Sequence, residues 1–286
     1  VPGGIPHRTS KCLTTACLAL QNAPTDLKNG TSDAVSLIQN AVDSASEGTY
    51  ILIPEGSFML SKPINLNDKK TIKNVTLRGS GTDKTFLIPT GWTAITSGSN
   101  SFSTERTVRS GSTKGSTSIV VSNSSGIQPG TILSLYQAND PDFYWSRWNN
   151  RDNHGQYLMV TGVSGNTISF EDPLIWDFTN NPRFKYSLYP IVKMDGIEDL
   201  AIKPASSYSG TMINFSYGYG LWVKNVDMSG GIGNDLVNIT MLLRSEIRDS
   251  YMHDSLSTSD GYGILTQAGW PNGSASTGLL VENNIF

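Results

Sequence analysis

Residues able to move protons or hold charge are concentrated between positions 248 and 262 of the sequence. They are Arg248, His253, Asp254, Asp260 and Tyr262. Asp254 and Asp260 flank a predicted turn, so we expect their carboxyl groups to face each other across one groove. Hydrolysis of a glycosidic bond needs two such groups, about 5–9.5 Å apart. His253 or Tyr262 would then transfer protons beside Arg248.

The same residue types suit a second chemistry, β-elimination on uronic acid polymers. That reaction needs a cation or an arginine to neutralise the substrate carboxylate, and a base to remove the α-proton. A structural interpretation also stays open, because Asp-Ser and Asp-Gly pairs commonly form turns. The catalytic candidates are therefore Arg248, His253, Asp254 and Asp260, with lyase, hydrolase and turn-forming roles all open.

A second group of candidates lies in residues 140–154, where four aromatic rings, two arginines and three acids occur within 15 residues. Aromatic rings stack on the apolar faces of sugars, and charged groups bind the hydroxyls around them. Loops on rigid scaffolds often carry binding sites, although the rings could equally pack as a lid. The predicted substrate-binding residues are Tyr144, Trp145, Arg147 and Trp148, with Tyr262 and Trp270 further along the chain.

A six-residue phrase recurs in the chain and indicates the elements that position these residues. Its five copies start at Ile72, Ile197, Val223, Ile247 and Val281, and the last four starts are 26, 24 and 34 residues apart. Each copy has a branched aliphatic residue, a charge, an Asn or Asp (with two variable residues after it), and a final apolar residue. The fourth copy includes Asp249. Repeats of 20–50 residues are typical of stacked coils.

The phrase predicts a strand, a bend and a second strand. Its first and last apolar residues point inward. The Asn or Asp lies at the bend, where these residue types tolerate left-handed backbone. In a stack of coils these side chains lie above one another and hydrogen-bond along the pile. An antiparallel sandwich is the alternative, and the parallel solenoid is the interpretation we prefer.

Other segments predict how the coils begin and where they are interrupted. Apolar residues on one face of 35–45, after a capping residue among 31–33, predict a helix that covers the first coil. Residues 105–190 lack the phrase, and Gly165-Asn166 is typical of a hairpin turn. We therefore expect an arm, helix and first coils over 1–104, an antiparallel β-insertion over 105–190, and coils over 191–286 that continue beyond Phe286.

The opening of the chain resembles the pectate-lyase superfamily. The matching motifs are Ile38-Gln39, Ile53-Pro54-x-Gly56, Leu77-Arg78-Gly79-x-Gly81, and an arm Gly3-Gly4-Ile5-Pro6-x-Arg8-Thr9 with Cys12 like that of bacterial β-helix proteins. The resemblance implies an all-β, right-handed parallel β-helix, and many members are secreted polysaccharide lyases or glycoside hydrolases. The paired Asp-Asp and Gly-His-Gly of polygalacturonase-like members are absent, so the resemblance leaves the activity open.

Composition excludes several other classes of protein. Charged residues are 16% of the chain and the net charge is −3, which leaves no basic surface for nucleic acid. No apolar run is long enough for a membrane span. No motif requires a metal or another cofactor. Ca²⁺ stays open, although the calcium-lyase pattern of clustered acids before an Arg-Pro-x-x-Arg signature is absent.

Two features point to an extracellular protein. Cys12 and Cys17 are the only cysteines; a local disulfide is preferred to a redox pair because Cys-x-x-Cys is absent. Six Asn-x-Ser/Thr motifs are predicted glycosylation sites in a host that glycosylates them. They start at Asn29, Asn74, Asn123, Asn214, Asn238 and Asn272.

Two functions remain open at this stage. The first, which we favour, is a secreted lyase or hydrolase whose partner is a polysaccharide. The second is a non-catalytic structural or adhesive module that self-associates through the end of its coil array.

Overall fold

The computed structural model describes residues 4–67, 73–138, 154–205, 210–230, 235–255, 261–267 and 276–286. About 47% of the chain is strand and 9% is helix, and the strands wind into a parallel β-solenoid of about eight turns. The predicted fold class is therefore confirmed: an all-β parallel β-helix with a capping helix and an antiparallel insertion.

Three helices lie near the start of the chain in the described residues: α1 (Thr15–Gln21), α2 (Thr25–Lys28) and α3 (Val35–Ser44). α3 is the predicted amphipathic helix, and it buries Ile38, Ala41 and Val42 in the solenoid core. The Gln39 side chain donates to the backbone carbonyl of Asn65 at 3.0 Å and accepts from its N–H at 2.9 Å. This paired contact fixes the helix on the first coil, where it covers the core.

The largest sheet, which we call the lateral sheet, has ten strands in the described residues, and all its pairings are parallel. The strands are β1 (Asn29–Asp33), β2 (Tyr50–Leu52), β3 (Gly56–Leu60), β5 (Thr76–Arg78), β6 (Thr85–Pro89), β15 (Gly196–Ile202), β18 (Trp222–Ser229), β20 (Glu246–Arg248), β21 (Tyr251–His253) and β23 (Leu280–Glu282).

A second parallel sheet forms another side of each coil. Its described strands are β4 (Ile64–Asn65), β7 (Thr93–Ser97), β16 (Thr211–Ser216), β19 (Asp235–Thr240) and β22 (Tyr262–Gln267). A short pair, β14 (Val192–Lys193) and β17 (Gly218–Tyr219), lies at a third position.

The coils stack in register along an apolar column inside the solenoid. Ile51, Leu77, Ile197, Val223 and Ile247 occupy successive levels of this column. Each of these side chains is at most 2% exposed. Burying such a side chain stabilises a fold by roughly 1.5–3 kcal/mol, so the column is a principal source of the solenoid's stability.

The register corrects one detail of the repeat. The copies that start at Ile197, Val223, Ile247 and Val281 lie one above another, as predicted. The copy assigned to Ile72 is out of step, because Leu77, the last residue of that copy, pairs with Ile197. The phrase matched there by residue type, but its true equivalent begins five residues later.

The bends behave as the phrase predicts. Asp199, Asn225, Asp249 and Asn283 have φ of 57°, 52°, 53° and 53°, the left-handed region that Asn and Asp tolerate. Asn225 Nδ2 donates to Asp199 Oδ1 at 2.7 Å, and Asn283 Nδ2 donates to Asp249 Oδ1 at 2.6 Å. Alternation of acid and amide therefore lets each Asn donate to the Asp of the preceding coil.

The insertion closes into a six-stranded antiparallel barrel. Its strands are β8 (Arg106–Ser110), β9 (Ser118–Val121), β10 (Ile132–Gln137), β11 (His154–Ser164), β12 (Thr167–Phe170) and β13 (Arg183–Tyr186). They enclose a separate apolar core that includes the buried Leu133, Leu158 and Phe184. Closure pairs every strand with two neighbours, which removes exposed sheet edges. The exact domain limits at 104/105 and 190/191 stay predictions.

A polar cluster joins the barrel to the coils. Arg244 forms an ion pair with Asp172 and contacts Glu171 at 3.2 Å. Tyr219 donates to the same Glu171, with both carboxylate oxygens at 3.1 Å. Burial, together with the charge of Glu171, raises the pKa of Tyr219 to about 12. Three charged groups and a neutral tyrosine thus contribute to the contact between the two units.

The N-terminal arm lies along the lateral sheet. The Arg8 guanidinium donates to the Met194 carbonyl at 2.7 Å and to Thr76 Oγ1 at 3.0 Å. Cys12 and Cys17 form a disulfide that ties the arm to α1. None of the helices in the described ranges is long and apolar enough to cross a membrane.

Candidate functional site

Polar side chains cluster on the outer face of the lateral sheet, on β18 and β21. These strands are parallel neighbours, with Asp227 opposite Tyr251 and Met228 opposite Met252. Both methionines are buried in the core. Because successive side chains of a strand point to opposite faces, Asp227, Tyr251 and His253 lie on the outer face.

The centre of this cluster is an imidazole held between two carboxylates. His253 Nδ1 lies 2.8 Å from Asp254 Oδ2, and His253 Nε2 lies 3.0 Å from Asp227 Oδ1. The other oxygen of Asp227 lies 3.2 Å from the ammonium group of Lys203. We call Lys203, Asp227, Tyr251, His253 and Asp254 the histidine patch.

An aromatic surface completes the histidine patch. The rings of Tyr251 and His253 are stacked, with centroids 3.9 Å apart and planes 15° apart. Tyr251 is 45% exposed, so its ring is open to a ligand from solvent. The site therefore combines an accessible ring face with carboxylates at its edge, two features that a sugar ring can engage.

An open depression of about 300 Å³ adjoins the patch. Its lining includes Asn225, Asp227, Asp249, Tyr251 and Asn283. The bends that shape the coils thus also supply amide and carboxylate groups to its wall. These groups can hydrogen-bond hydroxyl groups of a ligand lying along the sheet.

Arg248 lies beside the patch in an ion-pair cluster. Its guanidinium is 3.0 Å from Glu246, 2.8 Å from Asp249 and 3.8 Å from Glu282. Hydrogen bonds, first to Asp249 and then to Glu246, raise the pKa of Arg248. The hydrogen bond from Asn283 and the contact with Arg248 keep the pKa of Asp249 below its usual value, despite partial desolvation. The charge of Arg248 is therefore already balanced within the protein.

The structure brings some predicted residues together and places others elsewhere. His253 and Asp254 are in direct contact, and Arg248 lies on β20 in the same sheet. Tyr262 begins β22 in the second sheet, where its backbone pairs with Asp235. Six of the predicted residues lie outside the described residues: Tyr144, Trp145, Arg147, Trp148, Asp260 and Trp270.

Sequence reasoning missed Lys203, Asp227 and Tyr251. A signal for two of them was present, because Asp227 and Tyr251 each follow the bend residue of their coil by two positions. Such positions share the outer face of the sheet. Lys203 follows the strand of the preceding coil, and only its three-dimensional contact with Asp227 identifies it.

The predicted glycosylation sites differ in their exposure. Asn29 and Asn123 are exposed, whereas Asn74, Asn214 and Asn238 are partly buried. Asn214 and Asn238 pair with each other inside the second sheet. Asn272 lies outside the described residues, and modification of all six sites stays a prediction. In the described part of the chain, no three His, Cys, Asp or Glu side chains are grouped as a metal site.

Known structures with a similar fold include phage tailspikes. The tailspike protein gp49 of Pseudomonas phage LKA1 matches with a TM-score of 0.57 and 18% identity, over 80% of this chain and 37% of that one. The gp54 tailspike of Acinetobacter baumannii bacteriophage AP22, solved in complex with A. baumannii capsular saccharide, matches with a TM-score of 0.52 and 15% identity, over 90% and 44%. The tailspike gp61 of Pseudomonas phage phi297 matches with a TM-score of 0.50 and 14% identity, over 98% and 47%.

This chain spans less than half the length of each of these tailspikes. No protein-family model matches it, and no curated protein matches it. At such low identities the similarity concerns the fold, which can host many activities. The chain is thus a parallel β-solenoid similar in architecture to phage tailspikes.

Proposed function

We propose that this protein binds a polysaccharide along the lateral sheet and hydrolyses it at the histidine patch. The observation that carries the proposal is the exposed stack of Tyr251 and His253, with a carboxylate at each nitrogen of the imidazole. An extracellular location, supported by the Cys12–Cys17 disulfide, belongs to the same proposal. We also propose that the chain is a member of the pectate-lyase superfamily, which its opening motifs resemble.

In this proposal Asp227 and Asp254 supply the two carboxyl groups of a hydrolase. Because they contact opposite nitrogens of one ring, their separation exceeds the ~5 Å of a retaining pair and favours inversion of the anomeric centre. One carboxyl group then protonates the glycosidic oxygen, and the other accepts a proton from the attacking water. Asp227 is 20% exposed and Asp254 is 77% exposed. Both groups are therefore accessible from solvent.

Two further observations support a polysaccharide as the ligand. The depression beside the patch is open and lined by amide and carboxylate groups. One solved tailspike with the same type of fold was determined with a capsular saccharide. Hydrolysis is favoured over elimination because Arg248, the arginine predicted to neutralise a uronate, is already paired with carboxylates.

The test is release of reducing ends from a panel of bacterial and plant polysaccharides. We expect Asp227→Asn and Asp254→Asn to lower the rate at least about 100-fold, the usual scale for acid–base groups. Asp26→Asn, the same change at an exposed helix position, should leave the rate unchanged. If all three variants lose activity, or if none does, the assignment of hydrolysis to the carboxyl groups of the histidine patch is wrong. Circular dichroism would verify that each variant is folded.

A non-catalytic binding module is the second candidate function. The observation that favours it is the position of the imidazole, which fills the space between the two carboxylates. In that case polysaccharide binding is measurable without any cleaved product. Tyr251→Ala would weaken binding in either case, so product formation is what separates the two functions.

A further inference from the structure

The charges around the histidine patch determine which polysaccharides it accepts. Five carboxylates contact Lys203, His253 or Arg248, the charged side chains in and beside the patch: Asp227, Glu246, Asp249, Asp254 and Glu282. Three cationic side chains, Lys203, Lys224 and Arg248, lie among them. In the described residues, and leaving His253 aside, carboxylates therefore outnumber cations by two.

Two of these cations, Lys203 and Arg248, are already paired with the protein's own carboxylates. Lys203 pairs with Asp227 at 3.2 Å. Arg248 contacts Glu246, Asp249 and Glu282. The third cation, Lys224, is exposed, and its charge helps to lower the pKa of Asp249. An anionic sugar at Lys203 or Arg248 would have to break one of these pairs and leave a carboxylate without its cation, which is costly.

The remaining groups suit an uncharged ligand. The depression offers the amide groups of Asn225 and Asn283 and the exposed ring of Tyr251. Amides and carboxylates hydrogen-bond hydroxyl groups without requiring a charge on the ligand. Ring stacking is likewise independent of charge.

From this arrangement we infer that the polysaccharide carries no carboxylate or other anionic group where it crosses the histidine patch. The inference rests on the proposed function and narrows its substrate to neutral polymers or neutral stretches of a mixed polymer. Uronate-rich chains are disfavoured by repulsion from the surplus carboxylates, because Lys203 and Arg248 are already paired within the protein.

The test compares each acidic polysaccharide of the panel with its carboxyl-reduced form, in which every uronate has become the corresponding neutral sugar. The sugar sequence and linkages stay the same, so only the charge differs. We expect binding to neutral and carboxyl-reduced polymers, and at least roughly tenfold weaker binding to the acidic parent at low ionic strength. Raising the salt to about 0.5 M should narrow this difference through screening.

A charge variant gives an independent readout. Glu282→Gln removes one carboxylate beside Arg248 and should strengthen binding of acidic polymers several-fold while leaving neutral polymers unchanged. Glu55→Gln, the same substitution at an exposed turn of the first coil, should change neither.

The outcomes separate the two proposals. Preferential binding of acidic polymers over their reduced forms overturns the charge inference but leaves polysaccharide binding intact. Equal binding of both forms also overturns it. Failure to bind any polymer of the panel contradicts the proposed function itself.

Discussion

At the scale of single residues, Asp195 is a buried acid in the solenoid core with 0% exposure. Its Oδ1 accepts from the Val75 N–H at 3.0 Å, and its Oδ2 accepts from Ser97 Oγ at 2.7 Å and from Asn67. Burial raises the pKa of Asp195 to about 6, although these hydrogen bonds and Arg8 oppose the shift. Asp195 therefore links coils while titrating close to neutral pH.

This shift predicts a specific pH dependence of stability. Because the folded-state pKa lies above the unfolded value of 3.8, the folded state binds the proton more tightly. The stabilising contribution is fully present below about pH 4 and is lost as the pH rises through about 6. Its size is about 3 kcal/mol. Urea unfolding of the wild type and Asp195→Asn at several pH values would measure it.

The informative quantity is the difference between the two proteins at each pH. We expect wild-type stability to fall relative to Asp195→Asn between pH 4 and 7. A difference that stays constant over this range would show that Asp195 does not titrate there.

Residue type alone was enough to predict the bends but not the patch. Asn and Asp tolerate left-handed backbone, so Asp199 and Asn225 were predictable wherever the phrase appeared. Asp227 looked like a variable residue of the same phrase. Its role depends on the distance to His253 in the next coil, which no local pattern encodes.

At the scale of elements, the coils approach so closely that some positions have no room for a side chain. A Cβ on Gly98 would lie 1.7 Å from the Ser216 carbonyl oxygen of the next coil. Gly98 also has φ of +87°. Gly115, in the barrel, has nearly the same φ of +86° but nothing within 4 Å of an added Cβ. The two positions share the backbone strain and differ in the clash.

We therefore expect Gly98→Ala to lower the free energy of unfolding by more than about 3 kcal/mol, or to prevent folding. Gly115→Ala should lower it by only about 1–2 kcal/mol, the cost of left-handed backbone. Chemical denaturation of both variants measures the difference. Equal losses would mean that the coils can separate at Gly98 without cost.

The repeated phrase predicts neither the register of the first coil nor every bend of the later coils. The copy at Ile72 was matched by residue type, whereas the backbone pairs Leu77 with Ile197. A second column of left-handed residues includes Met194 and Arg244, with φ of 57° and 47°. Met and Arg have no preference for this conformation. Their position in the coil imposes the left-handed backbone, so the residue types at these positions could not predict it.

At the scale of the whole molecule, a solenoid carries a closed barrel on its side. The hairpin between β11 and β12 was predictable from Gly165-Asn166. Closure was not, because it pairs Arg106 on β8 with Phe184 on β13, far apart in the chain. The anchoring contacts of Arg244 and Tyr219 with Glu171 are equally non-local. Long-range pairing of this kind leaves no periodic trace in a single sequence.

The most direct test of polysaccharide recognition is a crystal structure of the protein with an oligosaccharide from whichever polymer it binds in the panel. We expect a sugar ring stacked on Tyr251, with its hydroxyl groups hydrogen-bonded to Asp227 and Asp254. The rest of the oligosaccharide should continue over Asn225 and Asn283. An oligosaccharide bound only on the barrel or the second sheet, with the histidine patch empty, would contradict the assignment of the lateral sheet as the functional surface.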